Sequence, residues 1–146
     1  MSDEFRVSLR VLGEDLDPDA VTRALGVAPS DSLRRGDPVT RGARRVHAIG
    51  LWSWDAGAPA TAPLAEHLAR IAARFGARAR AIGDLAGAGL RVDVYCSYFA
   101  GGRLSQIRLE PDALGALARL GVALTLNVYC PEDGEASGAQ PPADPP

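Results

Sequence analysis

Four side chains in this sequence have the chemistry to hold a metal or to act as nucleophile and base: His47, His67, Cys96 and Cys130. None has a second histidine or cysteine two to five residues away, the spacing around which zinc sites are usually built, so the four would meet only through folding. No metal site is expected. Ser97 lacks the Gly-x-Ser-x-Gly turn that exposes a nucleophilic serine. Cys96 alternates with Val92 and Val94 and reads as a structural core thiol, as does the isolated Cys130. His67 lies beside Glu66 and Arg70 in a helical stretch, where a solvated histidine is expected. Gly87-Ala88-Gly89 lacks a third glycine and leads into a strand, so it is a loop and not a dinucleotide site. All 16 basic residues are arginines. Without lysine, Schiff-base catalysis and a P-loop are both excluded. No catalytic residue or cofactor is expected, and an enzyme is the lesser reading.

Two groups of residues are suited to binding. Arg34, Arg35, Arg41, Arg44 and Arg45 crowd a turn-rich loop over residues 28–45, with Asp37 among them and Trp52 on the strand beyond. Guanidinium forks match carboxylate and phosphate. Arg34, Arg35, Asp37 and Trp52 therefore outline a site for a small anionic ligand. The plainer alternative is a solvated loop balanced by the acidic C-terminal segment. A net charge of −2 and the absence of aromatics between these arginines argue against nucleic acid.

The second group is a strand face. Arg6, Ser8 and Arg10 alternate with apolar residues, as do Asp93, Tyr95 and Ser97. If the strands pair in register, Gln106, Arg108, Asn127 and Tyr129 join them. Tyrosine and arginine are favoured interface anchors, so Tyr95 and Tyr129 mark a surface for another protein. The alternatives are a solvated face, or one covered by the 28–45 loop.

The elements that must position these groups are legible in the hydrophobic pattern. Phe5 to Leu12 alternates as a strand with one wet face. Asp17-Pro18 opens a short helix that Gly26 ends. Val46 to Trp54 reads as a second strand with both tryptophans on one face. Leu64, Leu68, Ile71, Ala72 and Phe75 form the stripe of the clearest helix, with Thr61 as its cap and Gly76 as its stop. Leu90 to Phe99 is a third strand, and Gly101-Gly102 a hairpin into Leu104–Leu109. Glu110-Pro111 begins a helix running to Gly121, and Val122 to Cys130 is the last strand. Residues 131–146 are acidic and proline-rich, and are expected to be disordered.

These elements predict an α+β fold: a mainly antiparallel sheet of about five strands with helices packed on one face. Residues 1–130 form one domain, an ordinary size for a 146-residue chain with 47% hydrophobic residues. The helices after Leu16 and Leu109 echo each other, as do Val92–Cys96 and Leu126–Cys130. That echo raises a ferredoxin-like pseudo-repeat as an alternative to chance recurrence of capping chemistry. The acidic opening residues are no secretory signal, and no apolar run is long enough to span a membrane. The expectation is a cytoplasmic protein with reduced cysteines.

The order of motifs resembles a family. The Asp17-Pro18 helix ends at Leu25-Gly26-Val27 and is followed by Pro29-Ser30 and Gly36-Asp37. Then come Trp52, the His67-Leu68 helix, Leu120-Gly121 and a strand ending in Tyr129. Over about Phe5 to Tyr129 the chain resembles the bacterial domain of unknown function 4279. That resemblance implies a fold without an assigned activity, and it draws Ser30, Gly36, Asp37 and Trp52 forward as pattern positions. The residues lead to a non-catalytic protein-interaction module, of which an immunity-type role is one form. The second reading is an anionic-ligand protein, or an unrecognised enzyme, using the arginine loop beside Trp52.

Overall fold

The computed structural model describes residues 2–131, and most of the segment expected to be disordered lies outside them. Alternation in Phe5–Val11 produces the central strand β1 (Glu4–Gly13). Asp17 caps α1 (Pro18–Leu25), its carboxylate accepting from the Asp19 N–H at 3.1 Å. The chain continues through β2 (Asp31–Leu33) and β3 (Gly50–Asp55) to α2 (Leu64–Phe75). A 3-10 turn at Gly76–Arg78 leads into α3 (Ala79–Gly87), then β4 (Arg91–Phe99), α4 (Pro111–Leu120) and β5 (Ala123–Tyr129).

The strands order as β2-β3-β1-β4-β5. Pairs β1–β3, β1–β4 and β2–β3 are antiparallel, while β4–β5 is parallel. The sheet is therefore mixed, and α4 supplies the crossover that a parallel pair requires. Register places Val7, Leu9 and Val11 level with Cys96, Val94 and Val92, and Leu9 and Val11 level with Trp54 and Trp52. This face packs with Leu25, Leu68, Ile71, Phe75, Ile82 and Leu117 from the four helices. The described helices thus cover one side only.

Several expectations need correction. Leu104–Leu109 is irregular, with Ile107 and Leu109 packed against the core instead of pairing in a hairpin. The fifth strand comes from the turn-rich loop, as β2. The strand expected from Val46 begins only at Gly50, because residues 36–47 fold back on themselves through a Pro38–Val46 bridge. Thr61 does not cap α2; its N-cap is Pro63, with no side-chain bond. Gly76 keeps right-handed helical angles and passes the chain on to α3, an element the alanine-rich sequence concealed.

The helix echo is local. Both α1 and α4 begin on proline and end on a left-handed glycine, Gly26 at φ 71° and Gly121 at φ 73°. Yet α4 joins parallel neighbours, whereas the α1 unit returns to β1 antiparallel through β3. The strands do not share the repeat.

Candidate functional site

The other side of the sheet carries the polar residues. Cross-strand register sets Asp31, Ser53, Arg10 and Asp93 in one row, and Asp55, Ser8, Tyr95 and Thr125 in the next. Arg6, Ser97 and Asn127 follow in a third. Gln106 and Arg108, expected here as strand residues, lie in the irregular segment after β4 instead.

A hydrogen-bonded network runs across this face. Arg10 Nε and Nη2 donate to Asp93 Oδ1 and Oδ2 at 2.7 and 3.1 Å, a bidentate pair. Thr125 Oγ1 donates to Asp93 Oδ2 at 2.8 Å. The Arg10 guanidinium lies 4.0 Å from the centroid of the Tyr95 ring. Asn127 Nδ2 donates to the Tyr95 hydroxyl at 2.5 Å. Asp93 is only 4% exposed, and charge that deep is tolerated because each carboxylate oxygen has a partner. At the far end Tyr129 stacks on Phe99 at 5.0 Å, and Arg6 lies 5.8 Å from the Phe99 ring.

Above these strands is a concave cleft of about 580 Å³. Arg6, Ser8, Ser53 and Ser97 line its sheet side, and His47 and Ile49 its loop side. At one end it reaches Gly57, Ala58, Ala60 and His67. This volume is within the usual range for ligand pockets.

His67 departs from expectation. It is 2% exposed, one turn after Leu64 and one turn before Ile71, on the apolar stripe of α2. That i, i+3, i+4 spacing was the available signal, and the neighbouring Glu66 and Arg70 obscured it. Burial lowers its pKa below the ordinary histidine value, partly offset by the backbone carbonyls of Ala62 and Pro59 and the charge of Glu66. Cys96 is in the core as expected, and burial pushes its thiol up to about 11. Cys130, expected in the core, is exposed. Among the described residues no group of three or more His, Cys, Asp or Glu could hold a metal ion. No described helix is long and apolar enough to cross a membrane.

The arginine loop has its own acids. Arg34 Nη2 reaches Asp17 Oδ1 at 3.0 Å and Asp19 Oδ2 at 3.2 Å. Arg35 meets Asp15 at 3.6 Å and Glu14 at 4.0 Å. Balance comes from the β1–α1 turn. Partial burial resists ionisation of Asp17, but the Asp19 N–H and Arg34 together hold its carboxyl below the usual range. Trp52 is remote from any such site. Its ring is fully buried on the helix side, edge-on to Phe75, with Nε1 donating to Thr22 Oγ1 at 3.0 Å.

A family model for a domain of unknown function, DUF4279, matches residues 3–131, nearly every described residue. The chain belongs to the DUF4279 family. No curated protein and no solved structure matches it. In this DUF4279 domain the pattern positions are architectural. Ser30 Oγ accepts from the Asp55 N–H at 2.8 Å and so fastens the chain entering β2 to β3. Asp37 Oδ2 accepts from the Arg34 N–H at 2.7 Å, closing a turn in which Gly36 takes φ 93°. With Trp52 in the core, the motif that carries the resemblance builds the fold. Of the candidate binding residues, only Tyr95 and Tyr129 lie on the polar side of the sheet, and Tyr95 is itself buried at 8% exposure.

Proposed function

We propose that this DUF4279 domain is a non-catalytic binding module that takes a partner protein on the open face of its sheet. The supporting observation is the Arg10–Asp93–Thr125 network beside the Tyr95–Asn127 pair, which immobilises the surface under the cleft. A face whose side chains are already fixed loses little conformational entropy on binding, and that raises affinity. Tyr129 and Arg6 supply residue types that dominate interface energies. The arginine loop and Trp52 offer less, since Arg34 and Arg35 already face carboxylates and Trp52 is out of reach of solvent.

Two variants test this reading without touching the core. Arg6→Glu and Ser53→Arg alter the exposed side of the cleft, and each should release any protein partner captured by the native chain while leaving the melting temperature unchanged. Partners that stay bound to both variants would overturn it. So would a small molecule carried through purification in the cleft, read as extra mass by native mass spectrometry.

A further inference from the structure

The two edges of the sheet differ. β2 has only three residues, carries Asp31, and is followed by the segment that folds back through the Pro38–Val46 bridge. β5 is the opposite edge, seven residues long, with the sequence Ala123-Leu124-Thr125-Leu126-Asn127-Val128-Tyr129. It holds no charge, proline or glycine, and its register with β4 runs without a bulge from Ala123 to Tyr129. Folded proteins usually guard a free edge with charges, prolines, bulges or a covering segment, because its unpaired backbone groups recruit another strand.

The pairing with β4 fixes which groups are free. The Ala100 N–H donates to Tyr129 O at 2.9 Å, so Tyr129 turns its backbone groups toward β4. Alternation turns Thr125 and Asn127 the same way and leaves the N–H and C=O of Leu124, Leu126 and Val128 on the open edge. No described residue hydrogen-bonds to those groups. The side chains of the same three residues lie on the helix side, level with Val94, Cys96 and Tyr98. Those three neighbours are buried, but Leu126 is 40% exposed and Val128 52%. β5 therefore presents free backbone donors and acceptors together with an apolar row.

We propose that β5 is a dimerisation edge, pairing antiparallel with β5 of a second copy of this chain about a two-fold axis at Leu126. In that register the whole strand overlaps, with Ala123 opposite Tyr129 of the second copy. Leu124 stands opposite Val128 and Leu126 opposite its own counterpart, and each such pair exchanges two backbone hydrogen bonds. The strand is complementary to itself. Every outward-turned residue meets another, the apolar row meets its copy, and an uncharged strand sets no like charges against each other. The axis runs across the sheet, so five strands from each copy join with both polar faces on one side. A single strand pair is a small interface, below about 1,200 Å², so a micromolar dissociation constant is expected.

Analytical ultracentrifugation of the full chain should show a monomer giving way to a dimer across the micromolar range. Leu126→Glu sets two carboxylates against each other on the axis and should weaken the dimer about tenfold or more, with an unchanged circular dichroism spectrum. Register is read with cysteines in a Cys130→Ser background. Leu126→Cys puts two Cα atoms about 5.5 Å apart, within disulfide reach, and should cross-link on mild oxidation. Val128→Cys leaves its two copies about 14 Å apart and should not. A native chain that stays monomeric up to about 1 mM would overturn the proposal. So would a dimer that Leu126→Glu leaves intact, or cross-linking at Val128 in preference to Leu126. If Leu126→Glu fails to fold, the cysteine pair still decides. Arg6→Glu and Ser53→Arg lie two and three strands in from this edge and should leave the dimer intact, so the dimer and the binding-face reading fail separately.

Discussion

The guanidinium of Arg10 lies 4.0 Å from the ring centroid of Tyr95 while both of its donating nitrogens engage Asp93. One side chain thus neutralises a buried carboxylate and covers an aromatic ring. The arrangement has measurable consequences. Asp93→Ala strands Arg10 and Thr125 and should cost about 3 kcal/mol in urea unfolding. Arg10→Ala leaves the carboxylate buried and uncompensated, with a similar loss. The double variant should cost clearly less than the sum of the two, with a coupling of roughly 1–3 kcal/mol, since neither residue then leaves an unmatched charge. Additive losses would mean that the pair is not a unit.

His67 makes stability depend on pH. Its folded pKa is depressed by burial below the unfolded value of 6.5, so the unfolded chain takes up the proton first. The histidine's contribution is fully present above pH 6.5 and is lost as pH falls through the folded pKa, at no more than about 1.4 kcal/mol per pH unit. Urea titrations between pH 7.5 and 5 should show this decline, and His67→Gln should flatten it. An unchanged slope in the variant would place the titration on other groups.

The two cysteines should separate by reactivity. Cys130 is exposed and should react with a thiol reagent on the native protein. Cys96 is fully buried with its thiol raised to about 11, so it should react only on unfolding. Intact-mass analysis should find one adduct on the native protein and two in denaturant. Early double labelling would show that β4 opens locally.

Arg34→Ala with Arg35→Ala distinguishes the loop from the sheet face. Their ion pairs are solvent-exposed, so the double variant should lose about 1 kcal/mol or less, and less still in high salt. Captured partners should remain bound. Loss of binding with unchanged stability would move the functional surface to the loop.

Much of this architecture follows from local pattern. Alternation in Phe5–Val11 and Val92–Tyr98, the apolar stripe of α2 and the proline and glycine that bound α1 and α4 each report a neighbourhood of a few residues, which the chain itself specifies. The side of β1 and β4 that carries Arg6, Arg10, Tyr95 and Ser97 was legible for the same reason. Where a residue's surroundings come from distant segments, local pattern misleads. His67 reads as wet beside Glu66 and Arg70 but is buried, its ring beside that of Phe5. Trp52 and the arginine loop adjoin in sequence, yet one strand residue faces the helices while the loop turns toward the acids at Glu14–Asp19. The partners of Asp93 and the parallel pairing of β5 depend on register between segments 30 or more residues apart. A strand's own sequence tells which side chains share a face, because the period of two is built into its backbone. Which strand lies alongside, and what closes over that face, is decided by the packing of the whole domain.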